Sequence, residues 1–224
     1  MKITRKELAS MVDHTNLKAY ATKEDFQQLC EEAKAYGFKY VAINSYPVAM
    51  CRKMLENSSV LCGAAIGFPL GQTTIAVKAA EVEDAIGNGC QEFDYVCNIG
   101  KVKEHDYAYL RKEMECLVGI ARKHGVCCKV IFETCYLEED EIIELAKIAK
   151  EVEPDFVKTS TGFGSAGATI AHVRLMKQYA GDKVQVKAAG GIRDLKTALA
   201  MIEAGATRLG TSSGIKICDE LAEK

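Results

Sequence analysis

The stretch Asp155–Ile170, DFVKTSTGFGSAGATI, decides between two folds. It passes from a short apolar segment, through a turn of hydroxyl and glycine residues, into a helix-like segment. Gly162, Gly164 and Gly167 have the G-x-G-x-x-G spacing of a dinucleotide-binding turn, which belongs to an open, doubly wound sheet. The same stretch also places Lys158 at the end of a strand, facing the turn. The first interpretation predicts hydride transfer, and the second predicts a Schiff base.

The glycine motif lacks the context that nucleotide binding requires. A dinucleotide-binding turn has its first glycine directly after the strand and an acidic residue about twenty positions later, at the end of the next strand. Here Thr159, Ser160 and Thr161 come before the first glycine, and Asp182 precedes its strand instead of ending it. A tight turn with positive φ angles, which also permits close approach to a ligand, is the better interpretation.

Strand-like and helix-like segments alternate along the chain with little loop between them, which is typical of parallel βα units. Thr4 and Glu7 form a candidate capping box for an opening helix that runs to about Ser10. Eight strand-like segments follow: Met11–Asp13, Phe38–Ile43, Val60–Ile66, Glu92–Val96, Cys128–Phe132, Asp155–Lys158, Val184–Lys187 and Thr207–Gly210.

The helix-like segments each carry a single apolar stripe, as expected of helices that pack one face on a sheet. These stripes begin at Phe26, Ile75, Leu110, Ile142 and Leu195. Eight βα units fill the length, and no linker or low-complexity tract divides the chain. We therefore predict one domain over residues 1–224 with an α/β fold, a single (β/α)8 TIM barrel with a short extra N-terminal helix. A doubly wound open sheet is the alternative.

Composition excludes several classes of function. The chain has 29 basic and 31 acidic side chains, so no strong field attracts nucleic acid or an anionic membrane. The N-terminal segment is too polar for a signal peptide and no apolar run is as long as a membrane span, so we expect a cytoplasmic protein. The ten cysteines are then expected to be reduced thiols. Four scattered histidines without metal-binding spacing predict no metal site, and we expect a small-molecule partner.

Lys158 and Lys187 both end apolar strands that would be neighbours in a barrel. A lysine is rarely buried unless it is paired or functional, and one alone would be explained by a salt bridge or by a stem that reaches solvent. Two on adjacent strands, each followed by a glycine turn, favour a functional interpretation.

Chemistry explains why two such lysines belong together. An amine attacks a carbonyl only when it is uncharged, and a pKa of about 10.4 leaves about one lysine in 2,500 uncharged at pH 7. A second ammonium about 6 Å away, at an effective dielectric constant of about 20, lowers that pKa by about two units. Partial burial in the mouth of the barrel is expected to supply the remaining shift.

Other strand ends supply candidate acids and an anion site. Asp94 alternates with the apolar Phe93 and Tyr95, so it would point into the barrel and either exchange protons or pair with the lysines. Asp13 is a similar but weaker candidate. The segments VKTSTG, VKAAGG and RLGTSSG would place three turns of small residues side by side at the C-terminal rim. Their N–H groups, together with the start of the last helix, predict a phosphate site. Arg193 would either add positive charge to this site or point into solvent.

Seven motifs, in order and across nearly the whole chain, resemble those of the deoxyribose-phosphate aldolases. They are VDHTNLK, AIGFPLG, EFDYVCNIG, CKVIFETC, FVKTSTGFGSAGAT, VKAAGGIR and GATRLGTSSG. The resemblance implies a class I aldolase with a TIM barrel that reversibly cleaves 2-deoxy-D-ribose 5-phosphate to acetaldehyde and D-glyceraldehyde 3-phosphate. It implies no metal or other cofactor, and a homodimer.

The resemblance also implies roles for individual residues. Lys158 would form the Schiff base, Lys187 would be the neighbouring cation and join the proton relay, and Asp94 would exchange protons through a water. The implied substrate-binding residues are Asp13, Thr161, Gly162, Gly190, Gly191, Gly210, Ser212 and Ser213. This chain departs from some members at Phe163, where they carry a lysine near the phosphate.

Two alternative functions remain open at this point. The nearer one is another Schiff-base aldolase that acts on a different phosphorylated sugar or keto acid. The other is a phosphate-binding barrel without covalent chemistry, such as an isomerase or a ligand-binding module.

Overall fold

Eight short parallel strands pair in the order of the sequence and close into a barrel, because the last strand pairs with the first. The computed structural model describes residues 3–222. Closure confirms the predicted TIM barrel and excludes the open sheet. All eight predicted strands are present, with ends that differ by at most a few residues. They are β1 Val12–Thr15, β2 Tyr40–Asn44, β3 Leu61–Ile66, β4 Glu92–Val96, β5 Cys127–Ile131, β6 Phe156–Lys158, β7 Gln185–Ala189 and β8 Ala206–Thr211.

Helices follow the strands and cover the outside of the barrel. The predicted opening helix is present, with Thr4 and Glu7 in a reciprocal capping box that satisfies N–H groups of its first turn. Within residues 3–222 the α-helices are α1 Arg5–Ala9, α2 Lys23–Tyr36, α3 Val48–Met54, α4 Ile75–Gly87, α5 Ile99–Lys103, α6 Tyr107–His124, α7 Glu139–Val152, α8 Ile170–Tyr179, α9 Leu195–Glu203 and α10 Gly214–Ala222. The sequence did not predict α3 and α5, which are too short to show a repeated apolar stripe.

Strand residues alternate between two environments. Side chains such as Val41, Phe93 and Tyr95 join the apolar layer between barrel and helices. Their neighbours in the chain, including Tyr40 and Asp94, are also buried but lie outside that layer, inside the barrel. The barrel interior is therefore polar and charged, while the apolar core surrounds it.

One domain over residues 1–224 stays a prediction, and residues 1–2 and 223–224 lie outside the described part of the chain. None of the described helices has both the length and the apolar character needed to cross a membrane.

Candidate active site

A cluster of seven charged side chains fills the inside of the barrel, and we call it the ionic cluster. Each member is at most 6% exposed, so the cluster is almost completely shielded from water. Charged groups are stable in such a place only when they are paired. The ionic cluster consists of Asp13, Glu92, Asp94, Lys129, Lys158, Lys187 and Arg208.

Lys158 and Lys187 lie side by side, as the sequence predicted. They are register partners on β6 and β7, and both ammonium nitrogens bond the same oxygen, Oδ2 of Asp94, at 2.8 and 2.6 Å. The two nitrogens are therefore separated by no more than the sum of these distances, about 5.4 Å. Lys187 also pairs with Oδ2 of Asp13 at 2.5 Å. Lys187 thus has two carboxylate partners, whereas Lys158 has one.

The remaining members close the ionic cluster into a continuous network. Arg208 Nη2 lies 2.5 Å from Asp13 Oδ1 and 2.8 Å from Glu92 Oε2. Lys129 Nζ lies 2.7 Å from Glu92 Oε2 and 3.0 Å from Asp94 Oδ1. Each carboxylate is therefore shared between at least two cations, which fixes its position and offsets the cost of burying it.

The environment of Lys158 lowers the pKa of its amine to about 8, from an ordinary value of 10.5. Burial is the main cause, and the nearby charge of Lys187 adds to it, while Asp94 acts in the opposite direction. From the sequence we expected the companion cation to supply the larger part of the pKa shift. The structure reverses that order, because Asp94 lies between the two ammonium groups and compensates much of their repulsion.

Asp94 is held in its charged form. Burial alone would raise the pKa of Asp94, but Lys129, Lys158 and Lys187 surround the carboxylate and hold the pKa well below its ordinary value. In the resting site Asp94 is therefore a carboxylate that can accept a proton.

Charge balance gives a second reason for an uncharged amine at Lys158. The ionic cluster contains four basic and three acidic side chains. With every group ionised it would carry one net positive charge in a buried place, whereas loss of one proton makes it neutral overall. Lys158 has fewer carboxylate partners than Lys187, Lys129 or Arg208, so the proton leaves Lys158 at least cost.

Tyr40 lies at the centre of the ionic cluster, and no pattern in the sequence indicated its role. Its hydroxyl donates to Asp94 Oδ1 at 3.3 Å, and burial raises its pKa well above the ordinary value, so the hydroxyl keeps its proton. Lys129 and Lys187 lie 4.5 and 5.1 Å from the centre of its ring. Gly63 on β3 makes room for this ring, since a Cβ there would lie 1.5 Å from Tyr40 Cε2.

A cavity of about 210 Å³ opens above the ionic cluster at the C-terminal mouth of the barrel, and Lys158 reaches into it. Asp94 and Lys187 lie beneath Lys158 and do not line the cavity. Six of the eight implied substrate-binding residues do line it: Thr161, Gly162, Gly190, Gly191, Gly210 and Ser212.

Asp13 and Ser213 lie elsewhere. Asp13 is completely buried in the ionic cluster, where it pairs with Lys187 and Arg208, so it is one layer below the cavity. Ser213 lines a neighbouring surface groove, which Ser212 also lines, and its N–H donates to Thr211 Oγ1 at 2.9 Å. Of these two adjacent serines, Ser212 lines the cavity and Ser213 does not.

The glycine turns bring backbone groups to the cavity. Gly162 and Gly190 have φ angles of +88° and +84°, which side chains rarely adopt. Gly167 packs against the second turn so closely that a Cβ would lie 2.2 Å from the carbonyl oxygen of Gly190. Glycine is thus required where these two loops touch. Of the three glycines of the motif, Gly162 has the positive φ angle that the tight-turn interpretation predicted, and close approach to a ligand stays a prediction.

Sequence reasoning missed Glu92, Lys129 and Arg208, although a signal was present. Glu92 lies two positions before Asp94, and Arg208 lies two positions before Gly210. Residues two apart on a strand point to the same side, so Glu92 and Arg208 point into the barrel with the candidate residues Asp94 and Gly210. Lys129 interrupts an apolar strand in the same way. Charged residues at alternating positions of predicted barrel strands would have revealed all three.

Cysteine and histidine residues contribute no metal site in the part of the chain that the structure describes. No group of three or more His, Cys, Asp or Glu side chains in residues 3–222 is arranged to hold a metal ion. All ten cysteines are free thiols, and most are buried.

The closed barrel and the lysine-bearing cavity at its C-terminal mouth define the class of protein as a TIM-barrel enzyme with an amine available for carbonyl chemistry. The particular family follows from comparison with known proteins. A family model described as DeoC/LacD family aldolase matches residues 8–220, and the chain belongs to this family. It is therefore an aldolase, a carbon–carbon lyase, as the sequence motifs predicted.

Named relatives agree with this assignment. The deoxyribose-phosphate aldolase of Lactobacillus acidophilus is 53% identical over 221 residues, covering 99% of this chain and 93% of the relative. That of Bacteroides thetaiotaomicron is 52% identical over 217 residues, covering 97% and 91%. Among solved structures, a deoxyribose phosphate aldolase from Aeropyrum pernix, described as tetrameric, superposes with a TM-score of 0.91 at 30% identity, covering 98% of this chain and 92% of that chain.

Proposed function

We propose that this chain reversibly cleaves 2-deoxy-D-ribose 5-phosphate to acetaldehyde and D-glyceraldehyde 3-phosphate through a Schiff base on Lys158. The observation that carries the proposal is the amine of Lys158, which reaches a glycine-lined cavity and has a pKa of about 8. The names of the close relatives support the choice of substrate.

The first step joins the amine to the sugar. Uncharged Lys158 attacks the C1 aldehyde to give a carbinolamine, and loss of water then gives an iminium ion. At a pKa of about 8, about one amine in ten is uncharged at pH 7, compared with about one in 3,000 at a pKa of 10.5. The iminium withdraws electrons from C2, which prepares the neighbouring bond for cleavage.

The second step breaks the bond between C2 and C3, since the two-carbon product is acetaldehyde. A base removes the proton of the C3 hydroxyl, the C3 carbonyl forms, and the electrons of the C2–C3 bond move onto the iminium nitrogen to give an enamine. Asp94, charged and 2.8 Å from Lys158 Nζ, accepts this proton through a water, with Lys187 beside it. Return of a proton to C2 and hydrolysis then release acetaldehyde and restore the amine.

The glycine turns hold the phosphate at the far side of the cavity. The N–H groups of Gly162, Gly190 and Gly191, together with Ser212 before α10, provide donors without bulky side chains. Binding the phosphate there fixes the position of C5 in the cavity, so that the C1 aldehyde at the other end of the sugar reaches Lys158.

Reductive trapping tests the nucleophile directly. Acetaldehyde and sodium borohydride are added to the protein, and hydride transfer to the iminium carbon leaves an ethyl group on the amine. Peptide mapping by mass spectrometry should find this group at Lys158, and Lys158→Met should abolish both trapping and turnover. An adduct only at other lysines, or turnover by the variant, would contradict the assignment.

Product analysis tests the substrate. A coupled enzyme assay should detect acetaldehyde and glyceraldehyde 3-phosphate in equal amounts from 2-deoxyribose 5-phosphate. Release of pyruvate from a keto-acid phosphate, with no acetaldehyde from the deoxy sugar, would favour the other Schiff-base aldolase instead.

We also propose that the chain forms a homodimer, as the sequence resemblance implied. We further propose that it acts in the cytoplasm, as its polar N-terminal segment and the length of its apolar runs led us to expect. The tetramer described for the relative from Aeropyrum pernix makes the assembly state a measurable distinction. One chain has a mass of 24.4 kDa. Sedimentation equilibrium should give twice this mass, and four times this mass would contradict the dimer.

A further inference from the structure

Glu133 is a buried carboxylate beside the cavity that neither the sequence nor the proposed reaction assigns to a role. It follows β5 and is 2% exposed. Its backbone has a φ of +56°, in the left-handed region that a side chain of this size rarely occupies. Such strain persists only where surrounding contacts hold it, so the contacts of Glu133 indicate what the strain maintains.

The side chain of Glu133 contacts Thr161 with both of its oxygens. The Thr161 N–H donates to Oε1 and Oε2 at 3.2 and 3.3 Å, and the Thr161 hydroxyl donates to Oε2. Thr161 Oγ1 in turn accepts the N–H of Phe163 at 3.0 Å. One carboxylate therefore determines the orientation of three consecutive residues, with Gly162 between the two donors.

Gly162 lies in the glycine turn that we assign to the phosphate. No atom outside its own chain neighbours comes within 4 Å of a Cβ built on Gly162, so packing at that position does not fix the turn. On the other side of the turn, Gly164 lies close to Cys135 and Glu133, since a Cβ there would lie 2.6 Å from Cys135 Sγ and 3.2 Å from Glu133 Cδ. Glu133 thus holds one end of the turn by hydrogen bonds and lies beside the other end.

A carboxylate near an anion site needs a physical reason, because it repels the ligand and is costly to bury. Burial raises the pKa of Glu133, while the hydrogen bonds from Thr161 act in the opposite direction. Those hydrogen bonds direct the carboxylate toward the loop backbone. Its benefit is therefore in the geometry of the loop.

We propose that Glu133 is a positioning residue that holds Thr161 and thereby orients the backbone of Gly162 for binding the substrate phosphate. This inference rests on the proposed function and makes it more specific. Phosphate recognition at this turn depends on a residue that does not touch the phosphate. Glu133 forms no hydrogen bond or ion pair with Lys158, so it acts on the amine only through the attraction of their charges.

The test compares substrates with and without the phosphate. Glu133→Gln keeps the size of the side chain but replaces the charged carboxylate with a neutral amide, in which one oxygen acceptor becomes an NH2 donor. This change weakens the hydrogen bonds from Thr161 to the side chain. We expect kcat/KM for 2-deoxyribose 5-phosphate to fall about tenfold, mainly through KM, as for loss of one charged hydrogen bond. For unphosphorylated 2-deoxyribose it should change less than about twofold. The dissociation constant of inorganic phosphate, from calorimetry, should rise by a similar factor of about ten.

Glu113→Gln is the matched control. Glu113 is another buried carboxylate that accepts a backbone N–H, from Asn98. It lies on α6, pairs with Lys78 of α4, and does not line the cavity. Its substitution should leave the ratio of kcat/KM for the two substrates unchanged. If Glu133→Gln does not fold, Thr161→Val is the second variant. It removes the hydroxyl that donates to Glu133 and accepts from Phe163, keeps the backbone N–H bonds to Glu133, and should shift the ratio in the same direction by a smaller factor.

The outcomes separate the two proposals. Wild-type protein that cleaves neither substrate contradicts the proposed function, and the calorimetry on inorganic phosphate still decides the role of Glu133. Wild-type protein that cleaves both, with an equal loss for the two substrates in Glu133→Gln, overturns the positioning role and points to a part in the chemistry. An unchanged ratio and unchanged phosphate binding overturn it as well.

Discussion

Replacing Lys187 with methionine removes one positive charge from beside the amine of Lys158 and keeps a side chain of similar length. The two nitrogens are at most about 5.4 Å apart, because both bond Asp94 Oδ2. At an effective dielectric constant of about 20, their repulsion is then about 3 kcal/mol, or about two pKa units. We therefore expect the pKa of Lys158 to rise from about 8 to about 10 in the variant.

The pH dependence of kcat/KM measures this shift. Lys158 attacks only as the uncharged amine, so activity rises as pH increases through its pKa. The wild-type profile should inflect near pH 8, where the pKa of Lys158 lies, and that of Lys187→Met about two units higher. The variant should be about a hundredfold less active at pH 7, and the difference should shrink at pH 10. Any loss that persists there reports a part of Lys187 in proton transfer.

Lys78→Met provides the control for removing a buried ammonium. Lys78 is as buried as Lys187 and pairs with Glu113 at 2.7 Å, but it lies outside the ionic cluster. Its loss should lower stability without moving the inflection of the pH profile. An inflection that stays near pH 8 in Lys187→Met would refute the reasoning and leave burial as the sole cause of the lowered pKa.

Three further substitutions test other parts of the site. Lys158→Met should stabilise the protein by about 3 kcal/mol at pH 7. The pKa of Lys158 is lower in the folded than in the unfolded chain, so the charged amine destabilises the fold below pH 8. Urea unfolding should therefore show that the gain in stability disappears above pH 10.5. Gly63→Ala should lower the free energy of unfolding by at least about 2 kcal/mol and remove most of the activity, because its Cβ meets the Tyr40 ring. Gly119→Ala is the control: its Cβ would enter open space on a helix, so thermal unfolding should show a stabilised protein. Gly190→Ala should raise KM about tenfold or more in steady-state kinetics, because φ and the adjoining loop both oppose a Cβ, and an unchanged KM would contradict the phosphate assignment.

The fold could be predicted almost completely because its information is local. Alternation of apolar strands and striped helices is visible within short windows, and Thr4 with Glu7 shows the first helix start within four residues. The short helices α3 and α5 were not predicted, because each is too short for an apolar stripe to repeat along it. Barrel closure itself followed from counting strands, which needs no knowledge of their packing.

The candidate site was predictable where it depended on strand ends, and less so where it depended on distant partners. Lys158 and Lys187 were found because each ends a strand and precedes a glycine turn. The hydrogen bond between Arg208 and Asp13 joins residues 195 positions apart, and no local sequence pattern indicates this pairing. The same is true of Glu133, whose partner Thr161 lies on the next loop. The roles assigned to these residues stay predictions until the experiments above are done.

The distribution of the ionic cluster along the chain has a consequence for how the barrel assembles. Its three acids lie on β1 and β4, in the first half of the chain, and its four bases lie on β5 to β8, in the second half. Either half-barrel alone would bury charges of one sign, which costs several kcal/mol per ion. Two copies of the same half would bring like charges together, whereas unlike halves neutralise each other. The inner charges therefore specify which halves associate, and they couple completion of the barrel to completion of the site.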